Sequence, residues 1–142
     1  MKYVIYTDGA CSGNPGAGGW GAVILNEEKS ETNISGKEKL TTNNRMELMA
    51  PIMALRKIKK ASKIIIYTDS TYLKNGITTW IQNWEKNGWV SAKKKPVKNK
   101  DLWITLNKLS KEQVVEWKWV KAHAGNKYNE IADKLATEAI RN

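Results

Sequence analysis

Cysteine, histidine, proline and phenylalanine are scarce in this chain of 142 residues, which contains one, one, three and none of them respectively. The single cysteine, Cys11, excludes an intramolecular disulfide and a zinc site built from several cysteines. No segment approaches the roughly 18 consecutive apolar residues of a membrane-spanning helix, and the N-terminus leads directly into a strand pattern instead of an apolar leader. We therefore expect a cytoplasmic protein that has no membrane partner.

Acidic residues are also few, because 14 Asp and Glu stand against 24 Lys and Arg, which gives a net charge of +10. Such a balance favours a polyanionic partner, although a lysine-rich surface without a specific partner is the alternative. Clustering favours the first interpretation, since the segment 86–100 carries several lysines and no acid. These are Lys86, Lys93, Lys94, Lys95, Lys98 and Lys100.

The length fits one domain, and the hydrophobic pattern indicates the α/β class. Segments of alternating, β-branched character predict five strands, at 2–8, 20–25, 31–36, 63–68 and 114–120. The first three are too close in sequence for helical crossovers and should form an antiparallel meander. Helical spacing predicts a long first helix that starts near 41–44, shorter helices at 70–76, 79–87 and 101–109, and a last helix at 128–139. This order predicts a five-stranded mixed sheet with helices on both faces.

Two features interrupt the regular pattern. The segment 9–19 is so rich in glycine that we expect no regular structure there, only close approach of the backbone to a partner. The basic segment at about 80–100 is predicted to project as a hairpin or inserted loop. We expect residues 1–142 to form a single catalytic domain that includes this protrusion.

Four acids, Asp8, Glu47, Asp69 and Asp133, are the candidate chemical groups. Asp8 and Asp69 each follow a β-branched run that ends in threonine, so they should face each other if the two strands are neighbours. Like charges at that distance need a counter-charge. A divalent cation would supply it, and in a basic protein a metal beside carboxylates indicates chemistry on phosphate.

The segments around these acids resemble type 1 ribonuclease H of the bacterial kind. The resemblance rests on Tyr-Thr-Asp-Gly at 6–9, Gly-Asn-Pro-Gly at 13–16, Thr-Thr-Asn-Asn-Arg-Met-Glu-Leu at 41–48 and Tyr-Thr-Asp-Ser at 67–70. It continues with Trp-Lys-Trp-Val-Lys-Ala-His-Ala-Gly at 117–125 and Asn-Glu-Ile-Ala-Asp at 129–133. It implies a ribonuclease H-like fold and cleavage of the RNA strand of RNA·DNA hybrids with Mg²⁺ or Mn²⁺.

The resemblance assigns the four carboxylates as ligands of two metal ions that are bound with the substrate, with Asp8 touching both. Two ions about 4 Å apart hold the attacking water and the departing 3′ oxygen, so the products should carry 5′-phosphate and 3′-hydroxyl ends. His123, the only histidine, matches a loop histidine of the family. Its implied role is to move a proton at the reacting water or to aid product release.

The resemblance also implies two sets of substrate contacts. Recognition of the ribose 2′-hydroxyl in the minor groove is expected from amides and backbone groups. These are at Cys11, Ser12, Asn14, Asn43 and Asn44. The DNA strand is expected against a basic, aromatic surface. Its residues are Thr42, Tyr72, Trp80, Trp84, Lys93, Lys94, Lys95 and Asn99.

Other residues complete the expectations. We expect Trp103, Trp117 and Trp119 in the core. Leu40 and Thr71 depart from the family pattern, where an arginine and a longer polar residue are common. We expect a monomer that needs no protein partner and whose affinity rests on this domain alone. Two alternatives remain: a catalytically silent hybrid-binding module of the same fold, and a DNA-strand-transfer enzyme, which would need further DNA-binding regions.

Overall fold

The computed structural model describes residues 2–58, 62–121 and 125–142. Its strands and helices follow one another in the predicted order. They are β1 (Lys2–Ser12), β2 (Gly16–Leu25), β3 (Glu31–Thr41), α1 (Asn43–Lys57), β4 (Lys63–Thr68), α2 (Thr71–Asn75), α3 (Ile81–Asn87), α4 (Lys100–Lys111), β5 (Val114–Trp119) and α5 (Lys127–Arg141). A π-helical turn, Gly76–Trp80, joins α2 to α3. None of the helices in the described part of the chain is long and apolar enough to cross a membrane.

The strands form one sheet in the order β3-β2-β1-β4-β5. The strands β1, β2 and β3 are antiparallel neighbours, as the short connections require. The strand β4 pairs parallel with β1, and β5 pairs parallel with β4. The predicted mixed five-stranded sheet is therefore confirmed.

Strand β2 is buried on both faces, and its alternating side chains show what covers each. Ala22 and Ile24 belong to the large core cluster that contains Leu48 and Ile52 of α1. The intervening residue Val23 packs instead with Ala132 of α5. Because successive side chains of a strand point to opposite faces, α1 and α5 cover opposite faces of the sheet, as predicted.

Helix α1 starts where the sequence predicts, because the Thr42 hydroxyl accepts a hydrogen bond from the Arg45 amide at 3.3 Å and so caps the helix. The helix continues through Pro51 and ends in the basic residues Arg56 and Lys57, which favour a helix C-terminus. It carries Glu47 to the sheet edge.

The prediction of an irregular segment at 9–19 is wrong, because β1 runs on to Ser12 and β2 begins at Gly16. Antiparallel pairing continues through the glycines, with Gly9 opposite Trp20. Strand pairing uses only backbone hydrogen bonds, so glycines do not interrupt it. Because glycine has no side chain, helix α1 can pack close to the backbone of β1. A Cβ atom on Gly9 would lie 2.5 Å from the backbone nitrogen of Glu47.

Two other expectations need correction. Strand β3 extends to Thr41 instead of ending at 36. The short helix at 70–76 ends as predicted, because α2 stops at Asn75 with Gly76 as its C-cap, and the Trp103 ring packs where a side chain at Gly76 would be. Trp103 is fully buried, but Trp119 is not a core residue and exposes 46% of its surface. Its strand lies at the edge of the sheet, so one side of the ring meets solvent.

Candidate active site

Strand register brings Asp8 and Asp69 together. The last parallel pair between β1 and β4 is Thr7 with Thr68, so the next residue of each chain segment is one of the two aspartates. Asp8 lies inside the extended β1, opposite Gly21 of β2, and only 8% of its surface is exposed. The predicted juxtaposition of two carboxylates at one edge of the sheet is confirmed by this register.

Glu47 and Asp133 reach the same edge from opposite faces. Glu47 comes from the first turns of α1, and the charge of Asp69 contributes to its raised pKa. Asp133 comes from α5, and its charge contributes to the raised pKa values of both Asp8 and Asp69. The four acids that the sequence singled out therefore form one cluster.

Burial and mutual repulsion make this cluster unfavourable for negative charge. Burial, and then the charges of Asp69 and Asp133, raise the pKa of Asp8 to about 8. Burial, with the charge of Asp69, raises the pKa of Glu47 to about 7 although hydrogen bonding by Ser70 opposes the rise. Burial also raises the pKa of Asp69. A cation placed among these groups would relieve the repulsion.

Hydrogen bonds hold the carboxylates in place. The Gly9 amide donates to Asp8 Oδ1 at 2.8 Å, and Asn43 Nδ2 donates to Glu47 Oε1 at 3.0 Å. The Trp119 indole Nε1 donates to the main-chain oxygen of Asp69 at 3.1 Å. The oxygens that remain available in the cluster are acceptors, which suit a cation.

The donor set fits Mg²⁺ or Mn²⁺, because both prefer carboxylate oxygen. Within residues 2–58, 62–121 and 125–142, no three acidic, histidine or cysteine side chains are grouped as ligands of one ion. Mg²⁺ is usually held by one or two carboxylates and completes its shell with water and substrate phosphate. The fit therefore depends on pairs of carboxylates.

A family comparison decides the class of this protein. The RNase H family model matches residues 1–141. The chain belongs to the ribonuclease H family. The ribonuclease H of Francisella philomiragia is 58% identical to it over 137 residues, which cover 96% of this chain and 90% of that protein. The ribonuclease H of Wolbachia pipientis wMel is 55% identical over 139 residues, with 98% and 95% coverage.

Solved structures agree with this assignment. LC9-RNase H1, described as a type 1 RNase H with the type 2 active-site motif, superposes with a TM-score of 0.87 at 31% identity, covering 99% of this chain and 72% of that one. LC11-RNase H1, solved in complex with an RNA/DNA hybrid, superposes with a TM-score of 0.73 at 26% identity, covering 98% and 96%. The chain is thus an enzyme of the ribonuclease H class.

The minor-groove candidates of this ribonuclease H lie around the start of α1. Asn14 Oδ1 accepts a hydrogen bond from the Asn43 amide at 3.1 Å, which ties the β1–β2 turn to the helix. Asn14, Asn43 and Ser12 are exposed, and Asn44 is half-buried. The Cys11 thiol is turned inward to the carbonyl oxygens of Gly16 and Thr41, so only its backbone remains for a substrate. His123 lies outside the described residues.

The aromatic candidates form a cluster on the α3 side. Tyr72 packs edge-on against Trp80, with ring centroids 5.6 Å apart, and Trp80 lies 5.9 Å from Trp84. These three side chains line an open cavity of about 300 Å³ together with Lys98. The Tyr72 hydroxyl accepts hydrogen bonds from Trp103 Nε1 at 2.9 Å and Asn99 Nδ2 at 3.1 Å. The cluster is thus partly core and partly the lining of an open cavity.

The lysine candidates occupy a tight turn, residues 91–95, which we call the lysine turn. The Ser91 amide donates to the Lys95 carbonyl oxygen at 2.7 Å, and a bridge between Val90 and Pro96 closes the turn. Lys93, Lys94 and Lys95 are exposed. The segment therefore projects cations into solvent, as the sequence predicted.

The two departures from the family pattern lie at exposed positions. Leu40 is 76% exposed at the end of β3, and Thr71 is exposed at the first position of α2. Both side chains are therefore largely open to solvent.

Sequence reasoning missed several residues that support the site. Ser70 caps α2, and a hydrogen bond from its side chain acts to lower the pKa of Glu47. A side-chain hydrogen bond from Asn129 acts to lower the pKa of Asp69. Arg45 forms a bidentate ion pair with Asp101 at 2.8 and 3.0 Å. The adjacency of Ser70 to Asp69 was a usable signal for the first. The others depend on contacts between distant elements, which no local pattern records.

Proposed function

We propose that this ribonuclease H hydrolyses the RNA strand of RNA·DNA hybrids by a mechanism with two divalent cations, Mg²⁺ or Mn²⁺, and leaves 5′-phosphate and 3′-hydroxyl ends. The observation that carries the proposal is the cluster of Asp8, Glu47, Asp69 and Asp133 at one edge of the sheet. The hybrid bound by LC11-RNase H1 supports the substrate class.

The carboxylates would hold the ions. When bound, divalent cations polarise the scissile phosphate and lower the pKa of the attacking water. Asp8 is central in the cluster, since the charges of both Asp69 and Asp133 contribute to its raised pKa. This position fits a ligand shared by two ions. The hydrogen bond from the Gly9 amide to Oδ1 orients the Asp8 carboxylate.

The asparagines supply the selectivity for RNA. Asn14, Asn43 and Asn44 carry amides that both donate and accept hydrogen bonds, which a 2′-hydroxyl requires. Asn43 already donates to Glu47, so a ribose bound by this helix turn lies next to the carboxylates. The selective contact and the reacting phosphate are thereby linked within one turn of α1.

The aromatic cluster and the lysine turn would bind the DNA strand. Exposed lysines pair with phosphates and contribute affinity that decreases with salt. The rings of Trp80 and Trp84 border the cavity beside Lys98 and offer apolar surface to a deoxyribose. All of these residues belong to one chain, so we also propose that the monomer is active.

A silent binding module is the weaker candidate. A protein that only binds nucleic acid gains nothing from burying acids beside phosphate, because the charges repel the ligand. The raised pKa values of Asp8 and Glu47 show that this arrangement is costly without a cation.

The deciding assay uses end-labelled RNA·DNA, RNA·RNA and DNA·DNA duplexes of one sequence, each with Mg²⁺ and with EDTA. We expect cleavage of the hybrid alone, only with Mg²⁺, and we expect ligation-competent 5′-phosphate ends. Asp8→Asn and Asp69→Asn should abolish turnover while the fold is retained. Glu138→Gln, an exposed change on α5, is the matched control and should remain active. Cleavage in EDTA, or an active Asp8→Asn enzyme, would refute the metal mechanism.

A further inference from the structure

Asn129 lies in the first turn of α5, one helical turn before Asp133. The Asn126 side chain caps the helix by accepting a hydrogen bond from the Asn129 amide at 3.0 Å. Residues four apart on a helix share a face, so Asn129 and Asp133 present their side chains to the same side. Asn129 is a polar residue with only 3% of its surface exposed.

The two polar ends of the Asn129 side chain are in different situations. A hydrogen bond from its side chain acts to lower the pKa of the Asp69 carboxyl group, against the rise caused by burial. Its Oδ1 atom is buried and has no hydrogen-bond partner among the described residues. Buried amide oxygens are nearly always paired, so a lone one calls for an explanation.

The surroundings of Oδ1 limit what its partner can be. The neighbouring polar groups of the site, Asp69 and Asp133, are carboxylates, which only accept hydrogen bonds when ionised. Among the described residues these ionised carboxylates offer no donor, so a bound species is the candidate donor. Water that accompanies a divalent cation donates strongly, because the cation polarises its O–H bonds.

We propose that Asn129 is a positioning residue of the metal site, with its NH₂ group orienting the Asp69 carboxylate and its Oδ1 accepting a hydrogen bond from water that enters with the cation. This inference rests on the proposed two-cation function. It assigns to Asn129 a role between the metal and the protein, and no contact with the nucleic acid.

The test measures Mn²⁺ binding to the free protein by electron paramagnetic resonance, which counts unbound Mn²⁺. Asn129→Leu keeps the size of the side chain and removes both polar ends. We expect its dissociation constant for Mn²⁺ to rise about tenfold or more, as is usual when a group that orients a metal ligand is lost. Thr137→Ala, on the same helix and bonded only to the Lys134 carbonyl oxygen at 3.1 Å, is the matched control and should bind Mn²⁺ normally.

Folding and kinetics separate this role from a structural one. Without metal, Asn129→Leu should unfold at the same temperature as the unaltered chain or higher, because it removes an unpaired buried oxygen. With a hybrid substrate, its kcat should decrease while KM stays unchanged. If Asn129→Leu does not fold, Asn129→Ala gives the same comparison.

Three results would overturn the inference. They are an unchanged Mn²⁺ dissociation constant, a raised KM with normal kcat, or strong destabilisation of the metal-free protein by both Asn129→Leu and Asn129→Ala. Failure of the proposed function looks different, since the unaltered chain itself would then bind no Mn²⁺ and would not cleave the hybrid. That outcome would remove both proposals.

Discussion

Trp119 fixes the main chain of Asp69 from the neighbouring strand. Its indole Nε1 donates to the Asp69 carbonyl oxygen, and Lys74 Nζ lies 5.4 Å from the centre of its ring. The ring is otherwise half open to solvent. A tryptophan that gives little core packing but holds a metal-ligand candidate acts on the geometry of the site.

We predict that Trp119→Phe lowers kcat about fivefold with little change in KM, because it removes one hydrogen bond of about 1 kcal/mol while it keeps a ring. Steady-state cleavage of a hybrid measures both constants. Lys74→Met removes the cation over the ring but leaves the N–H bond, so it should have a normal kcat. Equal kcat values for Trp119→Phe and the unaltered chain would contradict the role.

The sequence predicts Asp8 and Asp69 because a strand followed by Thr-Asp occurs twice, and parallel neighbours end together. It does not predict Trp119 or Asn129 as supports. A tryptophan in a strand usually indicates a core position. Whether its strand lies at the edge of the sheet, where the ring is partly exposed, depends on the order of the strands, which the sequence does not show. An asparagine near a helix start usually indicates a cap, and here Asn126 already has that role.

Among the elements, α3 and the lysine turn form one packed unit. Trp84 lies 5.9 Å from Trp89, ring centre to ring centre, and the Val97 amide donates to the Trp89 carbonyl oxygen at 3.0 Å. The side chain of Asn87 bonds both backbone groups of Val90. The turn is therefore a fixed projection of cations, which limits the entropy lost when it binds.

We predict that replacing Lys93, Lys94 and Lys95 together with alanine raises KM for the hybrid and flattens the dependence of affinity on salt. Each lysine that contacts a phosphate should reduce the slope of log K against log salt by about one. Binding measured between 50 and 200 mM KCl, roughly the range in which counterion release is usually compared, gives the slope.

A triple alanine variant at Lys57, Lys63 and Lys108 is the control for net charge. These lysines are exposed, they lie in α1, β4 and α4, and none belongs to the lysine turn. The control should keep most of the slope. Equal flattening in both triple variants would assign the effect to total charge.

Element type is predictable from periodicity for all five strands, but their ends are not. Hydrophobic alternation stops at Asp8, whereas β1 continues to Ser12 because glycines in β2 still form the ladder. The π-helical turn is also invisible to sequence reasoning. It arises because Gly76 must accommodate the Trp103 ring, a contact with a helix some 25 residues away in the chain.

The whole molecule combines a net charge of +10 with a buried group of acids. In the folded, metal-free chain the pKa values of Asp8 and Glu47 are about 8 and 7, against 3.8 and 4.5 in the absence of the fold. Between pH 5 and 8 the folded chain therefore binds more protons than the unfolded chain. The free energy of unfolding must then decrease as pH rises.

We predict that the metal-free protein loses roughly 2 kcal/mol of unfolding free energy between pH 5.5 and pH 8, which is less than the separate pKa shifts would give because the acids share one repulsion. Urea unfolding in EDTA measures it. Asp8→Asn should show a shallower decrease, and comparing it with the unaltered chain isolates the contribution of Asp8. Mg²⁺ should restore more stability at pH 8 than at pH 5.5, and a stability that rises with pH in EDTA would contradict the prediction.

The packed rings of Tyr72, Trp80, Trp84 and Trp103 also give the protein an optical signature. Their centroids lie 5.3 to 6.5 Å apart, which is close enough for the electronic transitions of the indoles to couple. Near-ultraviolet circular dichroism should therefore show strong bands that report the packing of α3 against α4. A substrate strand that settles over Trp80 and Trp84 would change those bands without any dye or label.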